Sequence, residues 1–563
     1  MACISPTAVV HDDNTSSASS PINTRRLTTP DEPFRLGHPD PGPDPSPVDA
    51  QIQMWCDRIF EAGFGTLFGL WVGKHGCPMV HNDQGDVCIP PVELFCNLDA
   101  LTRDMWASQG PSYSSTATAV SNDTTENEMD EIDEMDESLR RATHAYAAPW
   151  LLSLCATPRT VITIDADKIA AFVRASWRST RRDMLRVVNR VSYRSALTLY
   201  LFSQTPVPAG IPADEEVDGI NGVVCLQSAL QQIQQLRLRL RSCQSYGGDL
   251  SAWSTGLLQA SAPPVTDFHP AFVDLESRVF WAAVTWDTAS SVTLEFNTTL
   301  TTGLKGACSE PAWVLARAFL VKSFHARTEA WRTTRFELTD AMASEIISAA
   351  GICRTYLWRN VASVKEALRE GVDDESVAAA WASLHDAVEV FRSTIAPMMA
   401  HCEHQLHFLS QTNRLNWYLM VLHHNLGILI LVHALEAAAR ADLLASIHDA
   451  RLEAEHATLN VLDFGLKSTY TILAGPGMGL AQEISFIGID PSPDHTLAAV
   501  QLTSMAIHRK YRQQTINREV HAKLSHTLLR AVNQLPHGCK SVSTVRQNML
   551  QMAHEINPSV SFG

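Results

Sequence analysis

Six arginines, Arg174, Arg178, Arg182, Arg186, Arg190 and Arg194, recur every fourth residue through "VRASWRSTRRDMLRVVNRVSYRS". Arg181 stands beside them, and Asp183 is the one acid. Guanidinium groups stay charged and present a fork of donors that matches carboxylates and phosphates. A step of four turns 400°, so the row drifts by about 40° per step and sweeps over half the helix circumference. Val173, Trp177, Leu185, Val188 and Val191 form an apolar face between them. Like charges four apart cost about 0.2–0.5 kcal/mol per pair, so the fold has to supply counter-charges. The first expectation is pairing with acids on neighbouring helices, the arginine stems lying along the core. The alternatives are docking of an acidic segment of the same chain and contact with DNA phosphates, though no base-reading motif accompanies the row. All six arginines are therefore candidate contacts for an acidic partner or a phosphate.

Other residue sets are weaker. "HCEHQLH" offers His401, His404 and His407, but neither H-E-x-x-H nor H-x-x-E-H is matched, and rings three apart fan out around a helix. Hydrogen bonding at a helix surface is the expectation there. "ILAGPGMGLA" carries Gly475, Gly477 and Gly479, but the last spacing is wrong for a dinucleotide loop. It reads as a loop between helices. Asp287 and Ser290 in "WDTASS" lack any base placed by spacing and read as a Ser/Thr-rich helix end. Residues 505–546 hold eight Lys/Arg against Glu519, which fits a solvated amphipathic helix pair or a surface for an acidic partner. Leu226, Leu230, Ile233, Leu236 and Leu240 make about two heptads, too few for an isolated coiled coil and enough for a packed internal helix. No catalytic set emerges, and no cofactor or metal is expected.

The elements that must position these residues are helices. From about residue 139 onward, apolar residues recur at three/four spacing almost throughout. Asp373 or Asp374 offers a helix cap. "TVITI" (160–164) and "SVTLEF" (291–296) are the best strand candidates. Residues 1–50 are rich in Ser, Thr, Pro and Asp and read as a disordered arm. Residues 111–138 read as a mobile acidic loop, with a short acidic helix as the alternative; nine acids and no base between 123 and 137 make up over half of the net charge of −16. Residues 536–563 read as a tail. A net charge of that sign argues against non-specific nucleic-acid binding by the whole chain. The 12 cysteines are scattered without a C-x-x-C, as suits reduced thiols inside a cell. No secretory signal is recognised at the N-terminus. "LNWYLMVLHHNLGILILVHALEAAA" (415–439) is long and apolar, but its histidines and Asn425 favour a buried core helix over a membrane span.

Four stretches resemble the regulatory middle homology region of fungal zinc-cluster transcription factors. They are "DMLRVVNRVSYRSALTLYLFSQTPVPAGI" (183–211), "LESRVFWAAVTWDTASSVTL" (275–294), "TTGLKGACSEPAW" (301–313) and "LNWYLMVLHHNLGILILVHALEAAARADLL" (415–444). Their order and spacing carry the likeness, which spans roughly 51–535. It implies an all-α regulatory domain that binds inducers or corepressors and contacts the transcription machinery in the nucleus. The family's DNA-binding head needs six cysteines around two Zn²⁺ ions. This chain has no C-x-x-C, so no DNA contact carries over; the head is either lost or encoded upstream.

The sequence thus leads to an expected all-α, non-catalytic transcriptional regulator of a metabolic or secondary-metabolite gene cluster. Its expected partners are the transcription machinery or a DNA-bound factor, with a small-molecule inducer, no membrane, and a homodimer compatible with the pattern. The alternatives are a small-molecule sensor or an all-helical enzyme of a biosynthetic cluster.

Overall fold

Side chains at the helix starts fix where the elements begin. Asp165 caps the Ala166–Asn189 helix by accepting from the Asp167 amide at 3.1 Å, and Ser192 caps Tyr193–Ser203 through the Ser195 amide at 3.0 Å. Asp373, one of the two expected caps, accepts from the Ser376 amide at 2.8 Å. Asn517 does the same for Val520 at 2.8 Å. Each cap satisfies an amide that the first helical turn leaves open. The computed structural model describes residues 46–80, 89–108, 123–155, 160–244, 270–294, 296–300, 310–333, 337–473 and 481–556.

The protein is all-α, as its periodicity predicts. The Asp340–Arg369 helix runs through the middle, with nearly every side chain from Ile346 to Val364 buried. Around it pack Pro270–Leu294, Asp374–Val390 and Gln411–Ala437. The last of these is apolar and long enough to cross a membrane by composition, but 72% of its apolar window is buried inside this body. Its Gly427 lies so close to the central helix that a Cβ would meet Trp358 Nε1 at 2.6 Å. That contact lets the Trp358 indole donate to the His423 carbonyl at 2.9 Å. Leu226, Leu230, Ile233 and Leu236 are buried in the Gly222–Gln244 helix, as a packed internal helix requires.

Several expectations change. The expected disordered arm at 1–50 lies outside the described residues up to 45, whereas 47–50 already belong to the Pro47–Phe60 helix. Of the expected acidic loop, 111–122 lie outside the described residues, and the remainder is helix. Asp123–Cys155 is one helix of 33 residues. Met135 and Leu139 on it are buried, and its acids Glu134 and Asp136 face Arg190 and Arg194, which offsets their mutual repulsion. The tail is helical too: Lys540–Ile556 buries Val542, Val545 and Met549, so the folded body runs past 535. Neither expected strand forms among the described residues. Residues 291–294 close a buried helix in which Thr293 donates to the Ala289 carbonyl, and 160–164 are irregular. The two strands that do form, Thr469–Leu473 and Ala481–Ser485, pair antiparallel with Thr471 opposite Glu483. The glycine-rich 474–480 therefore joins a hairpin rather than two helices, and lies outside the described residues. Tyr470, Ile472 and Ile484 point inward at alternate positions.

Candidate functional site

The arginine row is consumed by its own fold. Arg178 grips Glu215 in a bidentate pair, with Nη2 to Oε2 at 2.7 Å. Arg190 reaches Glu134 at 2.9 Å, and Arg186 reaches the same carboxylate at 3.7 Å and Asp183 at 3.2 Å. Arg194 pairs with Asp136 at 2.8 Å and Asp99 at 3.5 Å. Arg174 lies along Gly210, and Arg182 acts on Glu215 through its field. Glu134 and Asp136 belong to the acidic segment, so that segment lies on the C-terminal half of the row. Arg181, outside the row of six, is buried and donates to the carbonyls of Ile220 and Glu216 at 2.9 and 2.8 Å. The basic 505–546 region is partly spent in the same way: Arg509 and Lys510 converge on the buried Glu455 at 3.0 and 2.6 Å.

The remaining sequence candidates also resolve into structure. The buried Asp287 carboxylate accepts from the Thr299 and Leu300 amides at 2.8 Å, while Ser290 donates to the Trp286 carbonyl. No nucleophile–base pair forms between them. His401 and His404 end one helix, and His407 sits in a separate 3-10 turn. Among the described residues no group of three His, Cys, Asp or Glu is spaced to hold a metal.

A different arginine stands out. Arg354 lies on the central helix with 2% of its surface exposed. Its guanidinium sits over the rings of Trp71 at 4.7 Å and Trp358 at 5.0 Å. Nη2 donates to Thr355 on its own helix at 3.1 Å, and Nε has no partner among the described residues. No carboxylate pairs with it among them. Burial pulls its pKa down to about 10, with Tyr200 acting the other way, so it remains charged at neutral pH. Another buried arginine shows what is missing: Arg278, fully enclosed, has Asp274 at 2.8 Å and the Val72 carbonyl at 2.5 Å. Isolated buried charges are costly, and folded proteins normally pair them.

Helices from five other parts of the chain meet around Arg354. Thr66–Val72 brings Trp71, Tyr193–Ser203 brings Tyr200, and Pro270–Leu294 brings Trp286. Gln411–Ala437 brings His423, and Pro493–Arg512 brings His495. Tyr200 and Trp286 stack at 3.6 Å with an 8° tilt. The rings of His423 and His495 are 5.0 Å apart, and His495 is 5.3 Å from Trp358. Neither nitrogen of His423, nor Nδ1 of His495, nor Nε1 of Trp71 has a partner among the described residues. Burial, and then the Arg354 charge, push His495 down to about 3; burial, then His495 and then Arg354 push His423 well below the usual imidazole range, so both rings are neutral. Burial likewise raises the Tyr200 phenol above its ordinary range, so it supplies no negative charge. The centre is one cation with no counter-charge among the described residues, set among neutral rings.

Comparison with protein families, with curated proteins and with solved structures finds no match. Sequence reasoning passed over this centre because its residues are scattered from 71 to 495. The available signal was Arg354 and Arg359 inside "IISAAGICRTYLWRNVASV", a helix apolar on every face.

Proposed function

We propose that this chain is a non-catalytic transcriptional regulator of the fungal zinc-cluster middle homology type, set by a small molecule held at the Arg354 centre. The observation that carries this reading is a convergence. Three of the four stretches that resemble that region each contribute a ring to the centre: Tyr200 from the first, Trp286 from the second and His423 from the last. Long-range packing of separate blocks onto one buried polar cluster fits a sensory core better than a scaffold. The regulator works in the nucleus on a metabolic or secondary-metabolite gene cluster, through the transcription machinery or a DNA-bound partner. The arginine row is spent largely on internal ion pairs, which favours protein contacts over direct DNA binding.

The test is the full chain fused to a heterologous DNA-binding domain in a fungal host carrying the matching reporter. Reporter output that changes on tethering supports the reading; output equal to the unfused DNA-binding domain overturns it. A second reading shares the same centre. Two neutral imidazoles beside a guanidinium also suit proton transfer on a bound acid, so multiple-turnover conversion of a metabolite by the purified chain would assign an enzyme instead.

A further inference from the structure

We infer that the Arg354 centre is a binding site for a small planar carboxylic acid, its carboxylate on the Arg354 guanidinium and its unsaturated body among the aromatic rings. This deepens the regulatory reading and rests on it for what the binding controls, not for the binding itself.

The argument is a count of donors and charge. Among the described residues, Trp71 Nε1 and Arg354 Nε are donors with nothing to accept from them, and neither group can accept. Neutral His423 and His495 each bring one donor and one acceptor. Donors therefore outnumber acceptors, and the centre carries one unbalanced positive charge. The missing group is acceptor-rich and singly negative. A carboxylate meets both demands and matches the planar fork of an arginine. A phosphate dianion would leave negative charge uncompensated beside a single buried cation.

The surroundings set the body of the ligand. Trp71 and Trp358 flank the guanidinium, and the Tyr200–Trp286 stack lies within reach of its field. Such faces favour a flat, unsaturated group over a flexible chain. The centre is not sealed from solvent. Trp71, Tyr200 and His495 all keep some surface that water can reach.

The experiment titrates the purified full chain with 2-naphthoate, and separately with the uncharged 2-naphthamide, up to millimolar concentration. Tryptophan fluorescence and the unfolding temperature are both read, since three of the ring donors are Trp71, Trp286 and Trp358. The acid is expected to quench fluorescence and raise the unfolding temperature, and to bind at least about tenfold tighter than the amide. Arg354→Met is expected to lose that preference while keeping a cooperative unfolding transition. Equal binding of acid and amide, no binding of either, or undiminished acid binding by Arg354→Met overturns the proposal and leaves a hydrated structural charge only. If Arg354→Met does not fold, the wild-type ratio of acid to amide decides alone. The tethered reporter separates this proposal from the regulatory reading. A responsive reporter with no acid binding removes the ligand class and keeps the regulator. Acid binding with a flat reporter does the reverse.

Discussion

Two groups of arginines divide the molecule. The row from Arg174 to Arg194 is long, regular and conspicuous, and four of its six members end on carboxylates from neighbouring helices. Arg354 is single, lies inside an apolar helix, and has no carboxylate among the described residues. The row is self-neutralised and therefore mostly architectural. The lone residue is a buried charge that no described carboxylate neutralises. The contrast teaches that the count of charges says less about a site than whether the fold supplies their opposites.

Four changes break or sharpen that contrast. The largest effect belongs to Trp358→Ala, which removes a ring 1% exposed that covers Arg354 and fills the groove at Gly427. Urea unfolding should show a loss of about 3–5 kcal/mol; a loss below about 1 kcal/mol would mean that the centre is not packed as described. Arg354→Met comes next and should move the other way. Replacing an unpaired buried charge by an apolar side chain is expected to leave the ligand-free protein unchanged or up to about 4 kcal/mol more stable. Destabilisation by several kcal/mol would reveal a counter-charge.

The third concerns Asp490, five residues before His495 in the chain. Its carboxylate accepts from the Ser492 amide at 2.8 Å and from the Thr496 hydroxyl, and burial pushes its pKa up to about 6. The raised value means the folded state favours the protonated acid. Its contribution is full below the unfolded value of about 3.9 and is lost as pH rises through about 6. Relative to Asp490→Asn, wild type should lose about 2–3 kcal/mol between those limits, measured by denaturation at a series of pH values. Parallel pH profiles would place the carboxylate in water. The smallest effect is Glu134→Gln, which releases Arg186 and Arg190. Half-exposed pairs of this kind are worth about 0.2–1 kcal/mol, falling with added salt. A larger, salt-insensitive loss would promote the row from scaffold to keystone.

The sequence made the all-α body legible because apolar three/four spacing recurs over hundreds of residues, and that pattern does not depend on knowing the neighbours. Asp373 was readable as a cap for the same reason. The acidic segment was misread as a loop because its helix is stabilised from outside, by Arg186, Arg190 and Arg194 across the interface. The Lys540–Ile556 helix was misread as a tail because its apolar face is short and acquires meaning where Val542 and Val545 meet the body. The Arg354 centre was least legible. It assembles Trp71, Tyr200, Trp286, His423 and His495 from five separate helices around a sixth, and no local spacing records that meeting.

The central claim is that the guanidinium of Arg354 awaits an acid. The most direct measurement is a crystal structure of the full chain grown with 4-iodobenzoate, the iodine located by its anomalous signal. The account predicts the carboxylate within hydrogen-bonding distance of Arg354 and the iodinated ring between the tryptophan faces. Iodine found elsewhere, with water alone on the guanidinium, would contradict it.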